Sequence, residues 1–224
     1  MQQAIKLKSL TDQVYEYLTD LIIEGKLKPG EKLTENDLCH RFGISRSPIR
    51  ECFRILESDG LIVINPRKGV RVRELTRKDI EDVFPVRASL ESLAARLAVP
   101  NMGEQEIAIF NDLIMRMEEA LGNKDIKSFL RFNFTFHSLF IKASDNQVLE
   151  KTLKYLGKGL WLRIAFLYYH QSSGTLGFSN NMHKKIVKAF QKKDVLSVQK
   201  LVEDHIEHAK REVLESFDRK DQHH

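Results

Sequence analysis

Apolar and polar positions follow two different periods along this chain, and the change between them divides it. Over residues 10–24, Val14, Leu18, Leu21 and Ile22 share one face of a helical repeat, with Gly25 placed to close it. Lys28-Pro29-Gly30-Glu31 reads as a turn. A short helix over 34–41 then stops at Phe42-Gly43, where glycine can take the positive φ of a tight turn. A second helix opens at Ser45, a good N-cap, and tolerates Pro48 in its first turn. On that helix Ile49, Cys52, Phe53 and Leu56 form an apolar stripe at i, i+3, i+4 and i+7. Arg46, Arg50 and Arg54 form a cationic stripe at i, i+4 and i+8 that points elsewhere. Asp59-Gly60 ends the helix. Two β-branched runs, 61–64 and 70–72, flank Asn65-Pro66-Arg67-Lys68-Gly69 as a hairpin with a basic tip.

Past residue 76 only the helical period remains. Thr76 is placed to cap a helix, and the segments 77–98, 104–121, 125–143, 146–170, 178–191 and 194–218 are each expected to be helical. Pro100-Asn101-Met102-Gly103, Gly122-Asn123, Ser144-Asp145-Asn146 and Ser172-Ser173-Gly174 punctuate them. Pro85 should kink the first of these helices or delay its start. The fold class is therefore mainly α: a winged helix-turn-helix (α+β) in residues 1–75, an all-α bundle in 76–218, and a tail over 219–224.

Charge sharpens this picture. The chain has 224 residues and a formal net charge of +5. Residues 1–78 carry 15 Lys and Arg against 11 Asp and Glu, so nearly all the excess sits in the first third. An arginine stripe alone is most often a solvated face. Here it follows a glycine turn and precedes a hairpin bearing Arg67, Lys68 and Arg71. A major-groove helix and its wing need cations at those two places, so the segment reads as DNA-binding. The excess is modest, so tight binding is expected to need two copies side by side. Cys39 and Cys52 lack neighbouring ligand pairs, which argues against a zinc finger and suits a reducing compartment. No run approaches the ~20 apolar residues that span a bilayer, and a cytoplasmic location is expected.

The segment from Glu35 to Leu61, ENDLCHRFGISRSPIRECFRILESDGL, resembles the winged helix of GntR-type bacterial transcription regulators. VRASLESLAARLA at 86–98 is similar to the opening helix of the FadR-like sensing domain called FCD. FNFTFHSLFIKASDN and HKKIVKAFQKKD are similar to its later signatures. The resemblance implies a dimer on a palindromic operator, released or tightened by a small metabolite. It implies that Arg46 and Arg50, in the S-R-x-P-x-R pattern, contact guanine and backbone, with Ser45 on a phosphate. The fork of arginine independently matches guanine O6 and N7. Arg54 is expected on a phosphate or in solvent rather than on a base, Arg67 and Lys68 on the DNA backbone, and Gly69 would let the wing backbone approach the minor groove. Asn36 stands where many relatives carry a basic residue.

The resemblance also implies a divalent cation, Zn or Ni, held by an aspartate and three histidines. The matching positions are Asn133, His137, His183 and His205. An amide oxygen in place of a carboxylate brings no negative charge, so weaker binding is expected. Arg87 falls at the arginine of V-R-x-x-L-E, implied to meet a small carboxylated effector. The plainer reading of Arg87 is an ion pair with Glu91 at i+4. Arg163, among Trp161, Leu162 and Ile164, is the candidate for a second effector-binding cation. A metal-dependent hydrolase is the rival from another class, but no H-E-x-x-H or similar pairing of histidine with a reactive carboxylate occurs. The protein is expected not to be an enzyme. A purely architectural DNA-binding protein with a helical dimerisation domain is the third reading.

Overall fold

The structure, a computed structural model, describes residues 8–156 and 173–221. The chain forms two compact units, the first ending at Leu75 and the second beginning at Thr76.

In the first unit, α1 (Leu10–Ile23) begins at a capping box in which Ser9 and Asp12 satisfy each other's backbone N–H groups. Its buried residues Val14, Leu18 and Ile22 pack on α3 (Arg46–Ser58). Between them, α2 (Glu35–Phe42) is capped by Thr34 and stopped by Gly43 at φ 65°, ψ 32°. A side chain in that left-handed conformation costs about 1–2 kcal/mol. Gly43→Ala should therefore lower unfolding stability by that amount, measured in denaturant, although nothing lies within 4 Å of the added Cβ. On α3 the expected apolar stripe is the core: Ile49, Cys52, Phe53 and Leu56 are all buried. Burial pushes the Cys52 thiol up to about 12, so it stays protonated. The Tyr15 hydroxyl donates to Asp59, tying α1 to the end of α3.

The hairpin pairs β2 (Ile62–Asn65) with β3 (Gly69–Val72), with Ile62 opposite Val72 and Asn65 opposite Gly69. A third strand, β1 (Lys32–Leu33), joins the far edge of β3, giving the order β1-β3-β2. Sequence periodicity does not find β1, because two residues carry no alternation.

The second unit is helical throughout its described residues. Its elements are α4 (Arg77–Ala98), a 3₁₀ turn (Val99–Asn101), α5 (Glu104–Gly122), α6 (Ile126–Ala143), α7 (Gln147–Tyr155), α8 (Ser173–Gln191) and α9 (Val195–Asp221). Thr76 and Asp79 cap α4 reciprocally. Of the two outcomes expected at Pro85, a delayed start is not seen: α4 runs from Arg77 to Ala98 through Pro85. Ile80, Phe84, Ala88 and Ala95 are buried on both sides of it, and packing on α9 and α6 outweighs the cost of about 3 kcal/mol for an interior proline.

Two further boundaries differ from those expected. The helix expected over 146–170 ends at Tyr155 with Leu156 as C-cap, and the rest of that span lies outside the described residues. The helix expected at 178 already runs from Ser173, so Ser173-Gly174 belongs to it rather than to a turn. Phe110, Phe129, Phe136, Phe140 and Phe190 fill the interior, with Phe110 and Phe136 centroids 4.6 Å apart.

Candidate nucleic-acid interface and metal centre

The first unit displays exposed cations along α3 and at the tip of the β2-β3 hairpin. Ser45 is the exposed N-cap of α3, and its side chain makes no capping hydrogen bond. Arg46, Arg50 and Arg54 are exposed, with Ser47, Arg50, Glu51 and Arg54 around a shallow groove. Both leading arginines are held from α2. Arg46 Nη2 donates to Asn36 Oδ1 at 3.0 Å, and Arg50 Nε donates to the Glu35 carboxylate at 2.8 and 3.0 Å. At the hairpin tip, Asn65 Oδ1 accepts from the backbone N–H of Arg67 at 3.0 Å and of Lys68 at 3.3 Å. Gly69 follows at φ 78°. The side chains of Arg67 and Lys68 are exposed, whereas Arg71 Nη1 is drawn back to the Gly30 carbonyl at 2.8 Å.

The second unit brings the four sequence-selected positions to three helices. Asn133 and His137 come from α6, His183 from α8 and His205 from α9, all buried. Donor atoms of the three histidines lie within 4.8 Å of one another. The His183 and His205 rings are 4.7 Å apart, and those of His137 and His205 stack at 5.3 Å. Burial, then neighbouring charge, pushes His183 and His205 well below the ordinary imidazole range, so both are neutral near pH 7. Neutral imidazole is the form that binds metal.

From α4, Glu91 makes the connection that sequence spacing does not reveal. Its Oε1 accepts from Arg87 Nε at 2.5 Å, and its Oε2 lies 2.5 Å from His137 Nδ1. Burial alone would raise the Glu91 pKa, but the Arg87 guanidinium and His137 hold it at about 2. A carboxylate beside Nδ1 is the kind of partner that orients a metal-binding imidazole through its other ring nitrogen, here Nε2. Arg87 thus makes the ion pair that is its plainer reading; Arg163 lies outside the described residues.

These residues fit a cation. His137 Nε2, both ring nitrogens of His183, His205 Nδ1 and Asn133 Oδ1 are buried without a hydrogen-bond partner. A buried polar group left that way costs about 1–3 kcal/mol, and one ion would take up several of these lone pairs at once. Three imidazoles and an amide oxygen suit Zn or Ni better than Mg or Ca. Among the described residues this is the one cluster of three or more such side chains able to hold an ion. No described helix is long and apolar enough to cross a membrane.

Comparison with known proteins agrees with both units. The family model for bacterial regulatory proteins of the gntR family matches residues 10–72, and the FCD domain model matches 82–208. The Bacillus subtilis protein described as an uncharacterized HTH-type transcriptional regulator, YdhC, is 37% identical over 145 residues. That match covers 64% of this chain and 65% of YdhC, just under two thirds of its length. The Escherichia coli HTH-type transcriptional repressor RspR is 26% identical over 88% of this chain and 86% of its own. The solved structure of Escherichia coli McbR/YncC shares the fold with a TM-score of 0.78 at 22% identity, covering 94% of this chain and all of that one. A helix-turn-helix with its wing, followed by the matched helical domain, makes this chain a member of the GntR family of bacterial transcriptional regulators, in the group that carries an FCD domain.

Proposed function

We propose that the chain acts as a homodimer on an inverted-repeat operator, with residues 1–75 reading DNA and residues 76–218 sensing a small carboxylated metabolite and forming the dimer. Arg46 and Arg50 read guanine edges, and Ser45, Arg54, Arg67 and Lys68 hold phosphates while Gly69 brings the wing backbone close. His137, His183 and His205, with Asn133 as a weaker oxygen ligand, hold a Zn or Ni ion. The ion would supply a positive centre for a carboxylate, and Arg87, linked through Glu91 to His137, is the neighbouring cation. Arg163 is the second proposed effector contact.

One observation carries the sensing half of this reading: the buried histidine cluster with unpartnered nitrogens, in the same chain as a winged helix-turn-helix. An effector can shift operator affinity only as far as its own affinity differs between two states of the dimer. The test is a thermal-shift screen of small organic acids with Zn, with Ni and with chelator, followed by operator binding for each hit. A carboxylate that stabilises the loaded protein and changes operator affinity is expected. Stabilisation by no acid under any metal condition would overturn the sensing assignment.

A further inference from the structure

The clasp between α2 and α3 joins a carboxylate to an arginine on the exposed surface, where such a pair does little for the fold. The Arg50 side chain is 59% exposed and that of Glu35 30%, a setting in which ion pairs contribute about 0–1 kcal/mol. Its geometry is informative instead. Both Glu35 oxygens meet the single donor Nε, at 2.8 and 3.0 Å, so the bond is made from the stem side of the guanidinium. The two terminal nitrogens are the pair that matches O6 and N7 of guanine. Anchoring Nε fixes the direction of that fork before any DNA arrives and removes rotamer freedom that binding would otherwise have to freeze.

The carboxylate has a second effect. Arg50 with a free charge attracts any phosphate, whatever the sequence, and sequence-independent affinity grows with each such contact. Glu35 offsets that charge at contact distance and is itself repelled by phosphate. A guanine edge, in contrast, offers acceptors in a fixed direction and carries no net charge. The same carboxylate that disfavours a phosphate contact therefore leaves the base contact intact.

We propose that Glu35 is a specificity-determining residue, which orients Arg50 toward a base-pair edge and suppresses its use as a general phosphate anchor. The inference rests on the reading of α3 as the DNA-reading helix. Asn36, accepting from Arg46 Nη2 at 3.0 Å, orients its arginine without cancelling charge, so the two clasps are not equivalent.

The experiment compares full-length wild type with Glu35→Gln, which keeps the shape and an acceptor oxygen but removes the charge. Glu35→Ala serves as a second variant. Each is titrated across a salt series against a duplex enriched from a random pool by the wild type and against a scrambled duplex of equal composition. Both variants should melt within a few degrees of the wild type, the loss of one helix-terminal charge. Their affinity for the scrambled duplex should rise, and its salt dependence should steepen by about 0.9 for each arginine released. The ratio of enriched to scrambled affinity should fall by up to about five- to 150-fold per half-site, the share of one guanine contact. In an Arg50→Gln background, Glu35→Gln should leave that ratio unchanged. An unchanged ratio in both single variants, or the same loss without Arg50, overturns the proposal. If the wild type enriches no duplex at all, the reading of α3 fails, and this inference with it.

Discussion

Arg46→Ala and Arg50→Ala should each abolish sequence discrimination while the protein melts as before. Both side chains are exposed, so their removal opens no cavity, and the buried stripe beneath them is untouched. Each guanine contact contributes about 1–3 kcal/mol of discrimination, and a two-fold dimer loses it in both half-sites at once. Fluorescence anisotropy at fixed salt, on an operator and on a scrambled duplex, measures the loss directly. Should either variant keep the sequence preference of the wild type, that arginine is not a base reader. The salt must be held constant because phosphate contacts alone change affinity by orders of magnitude over ordinary buffer ranges.

Metal loading should stabilise the second unit, and His183→Ala should abolish the effect. At a thousandfold excess over Kd, an ion that binds only the folded state contributes about 4 kcal/mol, or roughly 8–16 °C in Tm for a chain of this size. Elemental analysis of protein purified without chelator should find the ion, and titration with Zn or Ni should raise Tm in the wild type alone. No bound metal together with no stabilisation by either ion would eliminate the site. The chelated protein should also be acid-sensitive. His183 and His205 resist protonation when folded, whereas the unfolded chain takes up protons below about pH 6.5, so stability falls as pH drops through that value. The slope approaches about 1.4 kcal/mol per pH unit for each histidine.

Much of the first unit was legible because each of its parts depends on a local rule. The apolar stripe from Ile49 to Leu56, the glycine stop at Gly43 and the two β-branched runs are decided within a few residues, and the structure follows them. β1 was not legible, because its strand exists only by pairing with β3, some 40 positions away. The start of α8 was hidden for a related reason: Ser173-Gly174 has turn chemistry, and its helical state reflects the helix that continues from it.

The second site divides in the same way. The i, i+4 spacing places Asn133 and His137 on one face, but nothing local connects them to His183 or His205; only the family pattern suggested the set. Glu91 was visible as a partner of Arg87, four residues off. Its contact with His137 depends on how α4 packs against α6, which no short-range signal encodes. Glu35 escaped notice because an acid in the first turn of a helix already has a sufficient reason to be there, the helix dipole.

The wing tip separates the residues that make its shape from those that face outward. Asn65 takes two backbone N–H groups with its own side chain, and Gly69 supplies the reverse bend, so the loop closes without using the side chains of Arg67 or Lys68. Those two positions can therefore diverge during gene duplication at little cost to folding. Substitutions there change what the tip presents to its surroundings, one side chain at a time, while the framework of the hairpin is inherited unchanged.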